Sequence, residues 1–175
     1  MGAIRLSYST FGLTNLDFLD AIDAVDRAGY EGIEISFHRD QFNPFNIDDD
    51  YLAVVRKRLD ARRVTAACVA TASHFFDPHR PHEPSLMALE KAARMRRIDL
   101  VKRGIRVARG LGVNLVTFGS GFIRDEHVAK PGVDPGELLA ESIHECLREI
   151  RDDEDMTLLI EPEPGMHFVT MAQGL

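Results

Sequence analysis

The feature that most constrains this chain is a repeated alternation of short apolar runs and longer amphipathic stretches. Ile4–Ser9, Gly32–Ser36, Val64–Thr71, Leu115–Gly119 and Thr157–Glu161 each have the length and composition of a strand. Between them the apolar residues recur at helical spacing. Leu19, Ile22 and Val25 mark a helix over about Leu16–Ala28, stopped by Gly29. Leu52, Val55 and Leu59 mark a second over about Asp49–Arg63, and Ile98, Val101, Ile105 and Ala108 a third over about Ala93–Leu111. A fourth opens at Asp134-Pro135-Gly136-Glu137, a capping residue followed by Pro in the first turn, and presents Leu139, Ile143, Cys146, Leu147 and Ile150.

Strand–helix alternation implies an α/β fold with parallel strands joined by right-handed crossovers. The third run, Val64–Thr71, is apolar almost throughout, as expected of a strand covered on both faces. A doubly wound open sheet and a β/α barrel both satisfy this pattern. At 175 residues the chain has room for one sizeable core. A complete barrel takes about 250 residues. Thr170-Met171-Ala172-Gln173 carries the T-x-x-Q spacing of a helix start just before the last residue, Leu175. The expectation is a single partial-barrel domain over residues 1–175, lacking the last three β/α units.

Charge and cysteine usage narrow the function classes. A net charge of −7 argues against a nucleic-acid partner held by a general basic field, and leaves room for a phosphorylated small molecule bound by a few local donors. Cys68 and Cys146 belong to no CxxC pair and read as buried core thiols, so a reducing compartment is expected. No signal-peptide segment and no run of membrane-spanning length is present, which points to a cytoplasmic protein without a membrane partner.

Four segments, Leu6–Thr10 (LSYST), Ala28–Ser36 (AGYEGIEIS), Asp77–Leu86 (DPHRPHEPSL) ahead of a basic helix, and Leu159–Gly165 (LIEPEPG), resemble in order and spacing the sugar phosphate isomerases and epimerases of the xylose isomerase-like superfamily. The resemblance implies an incomplete (β/α)8 TIM barrel, about five parallel strands with helices outside. It also implies a divalent metal at the C-terminal mouth, manganese or magnesium with zinc behind them, and a sugar or sugar phosphate as ligand. Glu161, the first Glu of IEPEP, stands at the strand-five position that supplies a metal ligand in that family; the remaining ligands would come from strands beyond Leu175. The chemistry implied is proton transfer next to a carbonyl, where a cation stabilises the ene-diolate and a carboxylate carries the proton. In the DNA-repair branch of the superfamily a zinc-binding His occupies the end of strand four, where this chain has Ser120; this argues against apurinic endonuclease activity.

The residues themselves allow the following site candidates. Glu161 ends an apolar strand, where barrel enzymes place catalytic groups, or else is a strand-end carboxylate satisfied by backbone N–H groups or an Arg. Glu34, between Ile33 and Ile35, either points into the barrel or is a paired interior charge. Glu163 faces the mouth or orients a neighbour. The long connection from Ala72 to about Leu89 offers His74, closest to strand three, and His82, and such loops are usually functional or disordered. Arg80 is expected to be exposed, and His38 and His167 are lesser mouth candidates. Gly119-Ser120-Gly121 either lets a ligand approach backbone at Ser120 or makes an ordinary turn. Two functions compete: a metal-assisted isomerase or epimerase, and a shortened homologue acting as a binding or assembly module. Unpaired strand edges in the second would favour a homo-oligomer, or pairing with the missing C-terminal barrel segment.

Overall fold

The protein is represented by a computed structural model that describes residues 4–167; the T-x-x-Q segment at Thr170–Gln173 lies outside the described residues. Five strands, β1 (Ser7–Ser9), β2 (Gly32–Ser36), β3 (Thr65–Ala70), β4 (Leu115–Gly119) and β5 (Thr157–Glu161), form one sheet. Every neighbouring pair is parallel and the spatial order is the chain order, β1-β2-β3-β4-β5. That order separates the two architectures the sequence pattern left open. A doubly wound sheet reverses its strand order, so its helices cover both faces. Sequential order with right-handed crossovers puts every helix on one face and leaves the other concave, as in a barrel wall. The sheet is an unclosed arc.

The outer face is covered by α1 (Phe18–Arg27), α2 (Asp49–Asp60), α3 (Lys91–Leu111) and α5 (Pro135–Leu147), with a short α4 (Asp125–Val128) between the last two. Local chemistry sets their ends. Asp17, Asp48 and Asp134 accept hydrogen bonds from the backbone N–H groups of Leu19, Tyr51 and Gly136. Gly112, at φ +72°, closes α3 in the left-handed conformation that other residues resist. Ile33, Ile35, Val69 and Val116 from the strands meet Phe18, Ile22, Val55 and Ile105 from the helices in the main core. A smaller cluster joins Phe118 to Ile98, Val101, Leu139 and Cys146.

Strand register assigns the residues of the concave face. Ser9, Glu34 and Cys68 lie side by side, then Ser36, Ala70, Thr117 and Leu159, and Gly119 lies beside Glu161. This corrects the expectation that β3 is covered on both faces. Only Val69 of β3 is fully enclosed, and Thr65 and Ala67 are exposed. The run is apolar because Ala66 packs against the main core while the small Cys68 and Ala70 face the concave wall, and Ala67 is the extra residue of a register shift opposite Ile33 and Glu34. Likewise β1 begins at Ser7 rather than Ile4. Ile4 and Leu6 are 90 % and 66 % exposed; the Leu6 carbonyl accepts from the Glu31 and Gly32 N–H groups, and the ladder of paired residues begins at Ser7.

Candidate functional site

A cavity of about 390 Å³ opens at the C-terminal ends of the strands, the end at which β/α barrels carry their chemistry. Its size falls within the roughly 300–1,000 Å³ typical of small-molecule sites. Its walls come from every strand and from the loops that follow β1, β3 and β5. Ser9, Glu34, Ser36, Ala70, Thr117, Gly119 and Glu161 belong to the concave face, and Phe11, Ser73, His82, Arg97 and Glu163 complete the lining.

One side of this cavity is acidic. Glu34 on β2 and Glu161 on β5 share a wall with β3 and β4 between them, and Cys68 on β3 donates its S–H to Glu34 Oε2 at 3.5 Å. The walls strip part of the hydration from Glu161, and the charges of Glu34 and Glu163 add repulsion. Together they raise the Glu161 carboxyl above its usual range, with the nearby Thr117 hydroxyl acting in the opposite direction. Burial, followed by Glu34 and then Glu161, pushes the Cys68 thiol up to about 12, so it is not a nucleophile at neutral pH.

The remaining lining includes Arg97 and His82. His82 is 6 % exposed, edge-on to Phe122 with ring centroids 5.6 Å apart, and its backbone N–H donates to the Ser73 carbonyl at 2.7 Å. Burial first, then the charges of Arg97, His74 and Arg124, bring its imidazole down to about 4. It is therefore neutral near pH 7, with one ring nitrogen able to donate and the other to accept. Its ring lies against Gly119, where a Cβ would come within 2.7 Å of His82 Nδ1, so glycine at the end of β4 is what admits the imidazole.

The structure brings together Glu34, His82, Glu161 and Glu163 of the residues singled out from sequence, and sets two apart. Ser120 is fully buried and does not line the cavity; Gly119 does. His74 is exposed in an adjoining depression with Phe11, His38 and Arg39, its Nδ1 2.7 Å from Ser73 Oγ. Arg80 is exposed, as expected. Sequence reasoning does not reach Arg97, Ser36 or Thr117. Of these only Arg97 leaves a signal: it falls in the same helical stripe as Val101, Ile105 and Ala108, where a charge is out of place.

Glu34, Glu161 and Glu163 are the carboxylates that line the cavity. Hard divalent cations take about six or more oxygen ligands. No group of three or more His, Cys, Asp or Glu side chains able to hold a metal ion occurs among the described residues. These residues do not by themselves make a metal centre.

Similarity to known proteins follows the fold. An AP endonuclease of family 2 from Brucella melitensis superposes with a TM-score of 0.62 at 18 % identity, over 95 % of this chain and 60 % of that one. A D-tagatose 3-epimerase-like protein gives 0.71 at 12 %, over 95 % and 55 %. D-allulose 3-epimerase from Methylomonas sp., solved with D-allulose, gives 0.58 at 14 %, over 90 % and 50 %. The chain therefore spans between half and three-fifths of these structures, and at such identities the likeness concerns fold alone. No curated protein matches it significantly in sequence. The family model of the xylose isomerase-like TIM barrel matches residues 22–175, so the parallel arc with its cavity at the strand ends has a sequence counterpart, and the chain belongs to the xylose isomerase-like TIM barrel family.

Proposed function

We propose that this chain provides the sugar-binding wall of an isomerase or epimerase that moves a proton next to a carbonyl, with Glu161 as the proton carrier. The observation behind this reading is the position of Glu161, at the C-terminal end of β5, facing a sugar-sized cavity with its proton affinity raised by burial and by Glu34. A carboxylate tuned upward is a better base for a carbon acid and holds the proton long enough to return it. In the step itself the C–H bond beside the carbonyl breaks, the proton passes to a Glu161 oxygen, and the electron pair moves onto the carbonyl oxygen as an ene-diolate. Delivery of a proton to the opposite face by a second acid there epimerises the carbon; return of the Glu161 proton to the neighbouring carbon, with the hydroxyl proton passing from one ene-diolate oxygen to the other, isomerises the sugar. The Ser9, Ser36 and Ser73 hydroxyls and neutral His82 line the same space and are suited to hydrogen-bonding sugar hydroxyls. The family resemblance implies a manganese or magnesium ion, with zinc behind them, to stabilise the ene-diolate, with its further donors from outside the described residues. The two free cysteines suit a reducing, cytoplasmic setting, and no helix among the described residues is long and apolar enough to cross a membrane.

Deuterium exchange tests the reading directly. Ketohexoses incubated with the protein in D2O, with and without manganese, are expected to gain deuterium beside the carbonyl by NMR, and Glu161→Gln to abolish the gain. Exchange absent from the wild type, or equal in the variant, refutes it.

A second reading has its own observation. Among the described residues β1 pairs only with β2 and β5 only with β4, and Ile4, Leu6 and Leu159 are exposed near those edges. Open edges and uncovered apolar side chains favour association, as an assembly module or a homo-oligomer. Sedimentation equilibrium at micromolar concentration is expected to show a species larger than 19.6 kDa; a stable monomer refutes this reading.

A further inference from the structure

Arg97 is the least expected group in the molecule. It projects from the core-facing side of α3, is 5 % exposed, and lines the cavity. Its Nε donates to the Pro84 carbonyl at 2.8 Å and its Nη1 to the Ala72 carbonyl at 3.2 Å. Its Nη2 is buried and has no acceptor among the described residues. No carboxylate among them pairs with it: Glu83, the nearest acid to influence it, is held by Arg124 at 2.9 Å. Burial lowers the guanidinium to about 10, which leaves it charged at neutral pH.

A buried cation held by two neutral carbonyls and by the face of Phe76, whose ring centroid is 5.2 Å from its Cζ, is costly unless something anionic completes its shell. A purely structural Arg would be expected to spend all three nitrogens on the protein. The surrounding backbone carries strain of its own. Ala72 at φ +47° and His82 at φ +64° both occupy the left-handed region that side-chain-bearing residues rarely adopt. Ala72 supplies one of the two carbonyls that grip the guanidinium, and His82 lines the same cavity. Strain at non-glycine residues collects where a loop is shaped around a ligand. The far wall carries Glu34, Glu161 and Glu163, so the cavity is polarised from end to end.

Resting on the sugar reading above, we propose that Arg97 forms an oxyanion subsite, so that the ligand is a sugar bearing an acidic group, phosphate or carboxylate, whose oxygens meet Nη2. The planar fork of a guanidinium matches both groups, and the neutral imidazole of His82 adds a donor without a competing charge. The acidic wall repels the same anion, which orients the ligand with its acidic end at Arg97 and its neutral carbons toward Glu161.

The test titrates inorganic phosphate, and separately acetate, into the intact chain at constant ionic strength set with chloride, followed by calorimetry and by thermal unfolding. Saturable binding of one oxyanion over chloride is expected, phosphate winning for a phosphorylated ligand and acetate for a carboxylated one. Arg97→Gln is expected to abolish it, and Arg97→Lys, which keeps the charge and loses the fork, to weaken it about tenfold. Binding that survives Arg97→Gln, or no preference for either oxyanion over chloride, overturns the proposal. Because Arg97 also grips the loop, unfolded variants are replaced by nitrogen-15 NMR of arginine-labelled wild type. Saturable movement of a buried guanidinium signal supports the subsite, and its absence overturns it. Glu161→Gln separates the two proposals: phosphate binding intact with proton exchange lost supports both. Exchange present without oxyanion binding refutes the subsite alone.

Discussion

Replacing His82 by asparagine should remove most of the acid sensitivity that this part of the fold carries. His82 is enclosed between the strand-four end and Phe122, and burial together with Arg97, His74 and Arg124 holds its folded value near 4 against an ordinary 6.5. The sign follows from proton counting. In the unfolded chain the imidazole takes a proton as pH falls through about 6.5, whereas in the folded chain it does so only near 4. Between those values the unfolded state binds more protons, so stability is fully present above about 6.5 and is lost as pH falls toward 4. At 1.36 kcal/mol per pH unit the interval amounts to about 3 kcal/mol, a large share of the roughly 5–15 kcal/mol that holds a domain folded. Asparagine is among the residues that tolerate the φ of +64° at this position, so the backbone conformation is kept. Urea unfolding followed by circular dichroism at about pH 7.5 and about pH 4 gives the answer, because carboxylates that titrate in both proteins cancel in the comparison. The wild type should lose about 3 kcal/mol more than His82→Asn over that range. Equal losses in the two proteins would refute the argument that a neutral, enclosed imidazole is what the acid state disrupts.

Three further substitutions test other joints of the structure. Glu34→Gln removes a negative neighbour from Cys68, whose thiol stands at about 12 through burial and then Glu34. Its alkylation by iodoacetamide at mildly alkaline pH should accelerate, and an unchanged rate would show that Glu34 does not face it. The same substitution should ease Glu161 back toward its ordinary range. Because a raised carboxyl costs stability as pH rises through its folded value, the variant should lose less stability than wild type between acid and neutral pH. Gly119→Ala should cost about 1–3 kcal/mol by urea unfolding, since the added methyl meets the His82 ring and lies 3.0 Å from Met166 Cε. Asp48→Ala should cost about 1 kcal/mol by removing the acceptor for the Tyr51 N–H at the start of α2.

What the sequence discloses about this fold is whatever is decided within a few residues. The start of α5 is legible because Asp134 and Pro135 act on their own turn, and the core stripe of α3 because burial repeats every turn. Features decided by a distant partner are not. Whether Ile4, Arg5 and Leu6 join β1 depends on β2 reaching them. The choice between barrel and open sheet depends on strand order, which no local pattern encodes. The 3-10 turn at Thr10–Leu13 and the four-residue α4 are too short to show any period. In the site, Glu161 and Glu34 are legible as charges set in apolar strands. Ser120 is not separable by sequence from its neighbour Gly119; one residue of strand alternation decides which faces the cavity.

Arg97 shows how a helix pattern can hide part of a site. On a barrel wall the helices contribute to the outer core, so a residue on a helix stripe is ordinarily read as packing, and an Arg there as an interruption. Yet α3 follows the longest connection in the chain, and that connection, Thr71 to Glu90, folds back over the strand ends. The first turns of α3 therefore lie beside the mouth rather than behind the wall, and a long side chain at that point can thread between Ala72 and Pro84 to the cavity. The same threading explains why the acidic groups stand on strands and the cation does not. Strand positions two residues apart share the concave face, so placing Arg97 there would set it directly against Glu34 or Glu161 and neutralise the pair. Delivering the positive charge from the helix side keeps the two poles separate. A cavity built to hold a ligand with one acidic end requires that separation.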